Sequence, residues 1–319
     1  MTAPSTSRPA TVDAGSRRVV LVALAGNLSI ALVKFAAFAF TGSTAILTEG
    51  IHSVVDTADQ ALLLVGQARA ARPADSAHPF GHGMETYFWS FIVALMIFLA
   101  GGAAAIWEGA EKLLHPNRLE HPGVLLAVIA ASAVCEALSF RTAYREFRDV
   151  VRGRRIRLWR FLQISKDPNV FATLLEDGAA LGGLAIAAVG VCASAYLHQA
   201  WADGAASVGI GLLLVTVALF LGNETRSLIA GEAAAEPIVA GVEATLASCG
   251  ELGSLVRMRT LHLGPHAILV SVAWRFPEGM TRRDVEAAMA EVQRRVRAAD
   301  DRIGSVLFEP DGLGAAPVD

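Results

Sequence analysis

The sequence has few charged residues and few cysteines for its length. Only 18% of its 319 residues are Asp, Glu, Lys or Arg, whereas soluble proteins contain about 25%. The three cysteines, Cys135, Cys192 and Cys249, lie far apart and form no CxxC pair. This excludes a disulfide framework and a thiolate metal cluster, and we interpret the cysteines as small core residues. We also find no signal-peptide pattern before the first apolar segment.

Long apolar segments are abundant instead. A membrane-spanning helix needs about 20 mainly apolar residues, and six segments meet this condition. They lie at about 19–40, 44–66, 87–114, 123–142, 169–196 and 205–221. We therefore predict an α-helical membrane domain of six spans over residues 16–228, preceded by a disordered tail at residues 1–15 that is rich in Ser, Thr, Pro and Ala.

The C-terminal part of the chain has the composition of a soluble domain. A helix is predicted from Glu236 to Cys249, and a second begins at Thr281 with a capping box that includes Asp284. Alternating apolar and β-branched residues predict strands at about 255–263, 267–276 and 303–308. The order αββαβ predicts a small α+β domain over residues 229–315, with helices covering one face of a sheet.

Basic residues predict how the chain is oriented in the membrane. Arg17 and Arg18, Arg69 and Arg72, and a cluster from Arg145 to Lys166 all fall on the same side of a six-span arrangement. By the positive-inside rule, both termini and the C-terminal domain are cytoplasmic. The basic cluster has a second interpretation, which is binding to anionic lipid headgroups.

Ionisable side chains occur at membrane depth in the second span. His52 and Asp56 are four residues apart and therefore lie on one helix face. Because such groups are costly to bury, they usually face a cavity, a partner or an ion. This pair predicts half of a divalent-metal site. Glu49 and Asp59 are nearby candidates for accessory roles, or alternatively line the cavity or pair helices.

The fifth span carries two adjacent carboxylates, Glu176 and Asp177. If both were ionised and unpaired in an apolar helix, the cost would be prohibitive, so a shared cation or a proton is required. They project about 100° apart, which predicts that one of them faces His52 and Asp56. The small residues of 178–183 allow the second and fifth spans to approach closely. Imidazole and carboxylate ligands together suit Zn²⁺.

Other titratable residues are candidates for supporting roles. Glu136 in the fourth span is a candidate proton carrier or partner of the ligands. His78 and His82 precede the third span and are candidates for metal entry from the cytosol, or else belong to a turn. His262 and His266 in the C-terminal domain are either surface or turn residues, or a cytosolic metal site.

Together these motifs resemble those of the cation diffusion facilitator family. The resemblance rests on HSxxD from His52 to Asp56, HPFGHG from His78 to Gly83, a carboxylate in the fifth span, six spans and the αββαβ domain. It covers roughly residues 18–310 and is strongest toward the subgroup that includes the animal mitochondrial zinc transporter. It implies a homodimer in membrane lipid, with a ferredoxin-like, metallochaperone-like cytosolic domain, that exports divalent cations in exchange for protons.

The resemblance also implies a ligand set. The family's HxxxD of the second span falls on His52 and Asp56, and its fifth-span HxxxD falls on Thr173 and Asp177. Thr173 departs from the pattern because the usual His or Asp is missing. Glu176 is the neighbouring residue that can supply the missing ligand, which leaves the ligand number and the metal open.

We therefore expect a Zn²⁺/H⁺ antiporter rather than an enzyme, with metal, protons and lipid as partners and no nucleic acid. The richness in Ala, Gly and Arg suggests a GC-rich bacterial genome, and we therefore expect the bacterial inner membrane as the location. Two alternatives stay open. In the first, the protein exports Mn²⁺, Fe²⁺ or Co²⁺ with the same fold. In the second, it is a non-transporting membrane scaffold, which the missing ligand at Thr173 would allow.

Overall fold

A computed structural model describes residues 14–41, 44–116, 121–150 and 166–310. Most of the predicted N-terminal tail, the middle of the basic cluster at 151–165 and the last nine residues lie outside these ranges. Ala14, inside the predicted tail, is already the first residue of a helix.

Six long helices occur within the described ranges, and all of them overlap the predicted spans. They are α1 (Ala14–Thr41), α2 (Thr44–Ala70), α3 (Glu85–Leu114), α4 (Pro122–Val150), α5 (Pro168–Tyr196) and α6 (Trp201–Ile229). By length and composition, all except α2 could cross a membrane. Helix α2 is long enough, but Glu49, Asp56 and Asp59 lower its hydropathy. Five spans are thus supported, and the sixth stays a prediction.

Two local features shape the long helices. The side chain of Asp167 accepts a hydrogen bond from the backbone N–H of Asn169 at 3.0 Å, and Pro168 occupies the first turn of α5. This confirms the predicted start of the fifth span. Helix α3 contains a π-helical section, Ile97–Ala103, that the sequence did not indicate.

Helices α3 and α6 pack backbone against backbone through glycines. A Cβ atom added at Gly109 would lie 2.8 Å from the carbonyl oxygen of Gly204, and one added at Gly204 would lie 3.0 Å from that of Gly109. Gly102 and Gly211 repeat the arrangement seven residues away along the two helices. Small residues are what such close helix contacts require.

The C-terminal part has the predicted order αββαβ. It consists of α7 (Glu236–Ala247), β1 (Ser254–Gly264), β2 (Ala267–Arg275), α8 (Arg282–Ala299) and β3 (Ile303–Pro310). Strand β2 pairs antiparallel with β1 and parallel with β3. Val242 of α7, Val292 of α8 and Val270 of β2 are fully buried in one core. Thr281 and Asp284 form the predicted capping box.

The chain divides into two compact units. One contains the helices from α1 to most of α6, and the other contains the chain from Ser227 together with Ala70–Met84, the connection between α2 and α3. Within the second unit, Gly83 contacts Leu263 and Gly264 so closely that a Cβ atom at Gly264 would lie 2.9 Å from the Cα of Gly83. Glycine is therefore required at both positions.

Candidate metal centre

All six long helices contribute to a cavity of about 130 Å³ within the helical unit, which we call the carboxylate cavity. Its walls bring together most of the ionisable residues that the sequence analysis singled out. These residues are His52, Asp56, Asp59, Glu136, Glu176 and Asp177, and Asn27 and Lys34 of α1 line the same cavity. All four predicted metal ligands thus lie on one cavity, and both Glu176 and Asp177 line it, although only one was expected to face α2.

Three carboxylates converge in this cavity. Asp56, Asp59 and Glu176 each offer an oxygen, and these oxygens lie within 4.8 Å of one another. The exposed fraction is 1% for Asp59 and 8% for Glu176. Zn²⁺ binds carboxylate oxygen at about 2.0–2.2 Å, so a single ion shared by the three oxygens would lie between these side chains. His52 and Asp177 line the same cavity outside this trio.

Several carboxylate oxygens in the cavity have no hydrogen-bond donor. Among the described residues, both oxygens of Asp59, Oε1 of Glu176 and Oδ2 of Asp177 lack a hydrogen-bond partner. A buried carboxylate without a donor is unstable unless a cation or a proton neutralises it. This donor set therefore fits a bound cation.

Gln60 fixes the orientation of Glu176. Its side-chain Nε2 donates a hydrogen bond to Oε2 of Glu176 at 2.6 Å, and Gln60 is fully buried. This contact joins α2 to α5 and leaves Oε1 of Glu176 available to a ligand. The sequence placed Gln60 one residue after Asp59 but gave no indication of its partner.

The predicted accessory residues have different positions. Thr173 is fully buried one turn before Asp177, and the cavity walls in the described ranges do not include it. Glu136 lines the cavity close enough to interact with the charge of Lys34. The side chain of Glu49 lies outside the part that the structure describes.

A second candidate metal group lies in the connection between α2 and α3. Ligand atoms of Asp75, His78 and His82 lie within 4.8 Å of one another. Nε2 of His82 is 3.0 Å from Oδ2 of Asp75, and Nδ1 of His78 is 3.5 Å from Oδ1. We call this group the loop cluster. Sequence reasoning missed Asp75, although its spacing to the two histidines is a signal that could have been read.

Hydrogen bonds hold Asp75 in its ionised form. The backbone N–H of His78, the side chain of His82 and the backbone N–H of Ala77 lower the pKa of Asp75 to about 2. The two backbone donors lie 2.7 and 2.8 Å from Oδ1. Asp75 therefore offers an ionised oxygen to a metal without first losing a proton.

The two histidines of the C-terminal domain differ in position. His262 is a fully buried residue of β1, and its Nδ1 lies 3.3 Å from the carbonyl oxygen of Gly264. The interpretation of His262 as a surface residue is therefore wrong. His266 lies in the turn between β1 and β2. Neither histidine belongs to a group of three metal-ligand side chains in the described part of the chain.

The helical unit is similar in sequence to known proteins. Residues 20–230 match the cation efflux transmembrane domain. The chain belongs to the cation diffusion facilitator family. This family consists of integral membrane transporters, and the matched residues contain the whole carboxylate cavity.

The chain is similar in sequence to several members of this family. The chain is 33% identical over 207 residues to the human mitochondrial proton-coupled zinc antiporter SLC30A9. The aligned residues make up 65% of this chain and 36% of that protein. It is 31% identical over 253 residues to metal tolerance protein C4 of Arabidopsis thaliana, covering 79% and 55%. It is 27% identical over 208 residues to the cation-efflux pump FieF of Salmonella arizonae, covering 65% and 63%. The match spans between about a third and two thirds of these relatives, and it confirms the similarity to the animal mitochondrial transporter.

Proposed function

We propose that the protein exports a divalent cation, with Zn²⁺ as the substrate, in exchange for protons. The observation that carries this proposal is the convergence of Asp56, Asp59 and Glu176 on one buried cavity. Support comes from family membership and from the human relative, whose name is that of a proton-coupled zinc antiporter.

The cavity offers a complete ligand set for Zn²⁺. Structural and transport sites for this ion take about four nitrogen, oxygen or sulfur ligands. The carboxylate trio supplies three oxygens, and His52 or Asp177 on the same cavity supplies a fourth ligand. A nitrogen ligand from His52 favours Zn²⁺ over harder cations, because imidazole suits zinc better than it suits magnesium or calcium.

Proton exchange follows from the chemistry of these ligands. A metal binds ionised carboxylates and a neutral imidazole, so protons leave the site as the ion enters. An inward proton gradient reprotonates the same groups on the other side of the membrane and lowers the affinity for the metal. Rocking of the helices would expose the cavity to each side in turn, as in other transporters with a site near the bilayer midplane.

The arrangement in the membrane is part of the proposal. Residues 16–228 form six spans, and residues 229–315 form a cytosolic domain with the ferredoxin-like fold. The protein works as a homodimer in a bacterial inner membrane, with both termini in the cytoplasm. The basic residues at Arg17, Arg18, Arg69 and Arg72 support this orientation.

The loop cluster recruits metal on the cytosolic side. Asp75, His78 and His82 lie in the connection that follows α2, which the same orientation places in the cytosol. Their mixed nitrogen and oxygen ligands suit Zn²⁺. Because Asp75 and His78 are exposed, the cluster can exchange ions with solvent.

An exporter of Mn²⁺ is the second candidate. The converging trio consists of oxygen ligands alone, and carboxylates suit Mn²⁺. If His52 does not coordinate the ion, the site would favour this harder cation. A change of His52 to Asp distinguishes the two, since it should weaken discrimination between Zn²⁺ and Mn²⁺ only where His52 is a ligand.

Flux measurements on the purified protein in proteoliposomes test the proposed function. We expect zinc flux that depends on an imposed pH gradient, together with proton movement in the opposite direction. Flux that ignores the gradient would indicate a channel. The absence of flux for Zn²⁺, Mn²⁺, Fe²⁺ and Co²⁺ would indicate a scaffold and would contradict the proposal.

A further inference from the structure

Lys34 of α1 is buried in the wall between two cavities. Its exposed fraction is 6%. It lines the carboxylate cavity and also a second cavity of about 50 Å³. The two cavities share a wall made of Lys34, Ser132, Leu184, Ala187 and Ile210. An ion that moved from the carboxylate trio into the second cavity would therefore pass the ammonium group of Lys34.

The second cavity lies where the end of α3 meets the start of α6. It is lined by Glu108 and Lys112 near the end of α3 and by Asp203 near the start of α6. Nζ of Lys112 lies 2.9 Å from Oε1 of Glu108 and 3.1 Å from Oδ2 of Asp203. Helix α3 starts at Glu85, after the α2–α3 connection that the proposed orientation places in the cytosol, so Lys112 marks its opposite, extracytoplasmic end. Lys34 thus stands on the outward side of the ion cavity.

Acidic residues outnumber basic residues around the carboxylate cavity. Five carboxylates line it: Asp56, Asp59, Glu136, Glu176 and Asp177. Lys34 is the single lysine or arginine among its described lining residues. Such an excess of carboxylates attracts a doubly charged ion strongly, and an ion that is held too tightly is released slowly. A fixed positive charge in the same low-dielectric cavity opposes that attraction.

We propose that Lys34 is a release residue, whose ammonium group weakens cation binding at the outward end of the cavity and so speeds exit of the ion. This inference rests on the proposed function, because it concerns the export step of that same site. Lys34 is not proposed as a metal ligand, because its positive charge repels the cation. The carboxylates capture the ion, and Lys34 limits how long they keep it.

A purely structural role for Lys34 makes a different prediction. Lys34 and Glu136 are close enough to interact electrostatically, and such a buried pair could serve only to hold α1 against α4. Breaking a structural pair lowers thermal stability and transport while leaving metal affinity unchanged or weaker. Removing a repulsive charge instead tightens metal binding. The direction of the change in Kd therefore separates the two roles.

The test uses the full-length protein in detergent for zinc titration calorimetry and in proteoliposomes for flux. For Lys34→Met we expect Kd and KM for Zn²⁺ to fall about tenfold and kcat to fall by a similar factor, because release becomes limiting. Lys34→Arg keeps the charge and should stay within about threefold of the wild type in all three quantities. Asn27→Leu is the comparison variant, because it removes a polar side chain from the same cavity and the same face of α1 without removing a charge. A fall in Kd as large as that of Lys34→Met would overturn the inference.

A double variant keeps the test decisive if Lys34→Met does not fold. Lys34→Met combined with Glu136→Gln removes both charges, so Glu136 is not left ionised without the ammonium group of Lys34. Measured against Glu136→Gln alone, it should still show a Kd about tenfold lower. An unchanged or higher Kd in either background overturns the inference. A wild-type protein that neither binds nor transports a divalent cation would contradict the proposed function itself.

Discussion

The carboxylate cavity and the loop cluster are two groups of three metal-ligand side chains with opposite surroundings. Asp56, Asp59 and Glu176 lie among the long helices, and several of the cavity's oxygens have no hydrogen-bond donor among the described residues. In the loop cluster, Asp75 is exposed and accepts hydrogen bonds from two backbone N–H groups. The first group requires a cation or protons in order to be stable, whereas Asp75 of the second is stabilised by hydrogen bonds from the protein itself.

This difference indicates how each group responds to metal. A buried carboxylate group exchanges a metal for protons because both neutralise the same charge. An exposed group whose carboxylate is already ionised exchanges metal with solvent at little cost. In the proposed mechanism, the cavity therefore couples transport to the proton gradient, and the loop cluster collects the ion.

Loss of Asp56 should abolish transport. Asp56→Ala removes one of the three converging carboxylate groups. We therefore expect zinc flux in proteoliposomes to fall to the level of empty vesicles, a loss of about 100-fold or more. Asp75→Ala is the matched control, because it removes a carboxylate from the loop cluster. We expect this control to keep at least about a third of the wild-type flux at saturating zinc. Wild-type flux in Asp56→Ala would contradict the assignment of the cavity.

Loss of the Gln60 side-chain amide should weaken metal binding without abolishing transport. Gln60→Leu removes the donor that orients Glu176, and partners of metal ligands typically contribute about 10–100-fold to affinity. We expect KM for Zn²⁺ to rise at least about tenfold. Gln67→Leu is the control, since Gln67 is a buried glutamine of α2 that is absent from the described cavity lining. Equal effects of the two variants would show that Gln60 only packs helices.

Loss of His82 should affect transport only when zinc is scarce. His82→Ala removes one of the two imidazoles of the loop cluster, so capture of dilute metal should suffer while the cavity remains intact. We expect flux to fall about threefold at zinc concentrations well below KM and to change little at saturation. His266→Ala serves as the control because His266 lies outside the cluster. A large loss at saturating zinc would show that the loop cluster takes part in translocation.

Acid should disorder the loop cluster only at very low pH. The pKa of Asp75 is about 2 in the folded protein and about 3.9 in an unfolded chain. Because the folded value is the lower one, the stabilisation by Asp75 is present above about pH 4 and is lost as the pH falls toward 2. Pepsin cleavage after the exposed Phe80 should therefore be slow at pH 4 and accelerate toward pH 2. Asp75→Asn should be cleaved rapidly at pH 4 already, and equal rates at that pH would contradict this account.

The sequence predicted the features that depend on one helix at a time. Apolar length located the helices, and the spacing of His52 and Asp56 placed both on one face of α2. Asp167 and Pro168 predicted the start of α5, and Thr281 with Asp284 predicted the start of α8. These features are local, because capping and helical periodicity involve residues within about one turn.

The features that the sequence did not predict depend on how separate elements pack. Whether Asp59 or His52 joins Glu176 is decided by the rotation of α2 against α5, which periodicity does not specify. The hydrogen bond between Gln60 and Glu176 has the same origin. Burial of His262 follows from its position in β1 within the C-terminal unit. The contribution of Asp75 depends on a turn that brings it against His78 and His82.

Anomalous diffraction from zinc-bound crystals tests the central claim most directly. The account predicts a peak at the zinc edge inside the cavity, about 2.0–2.2 Å from carboxylate oxygens of Asp56 and Glu176, with Asp59 or His52 completing the site. A transport-competent protein whose only peaks lie at the loop cluster or elsewhere, with Asp56 and Glu176 too far apart to share an ion, would contradict it.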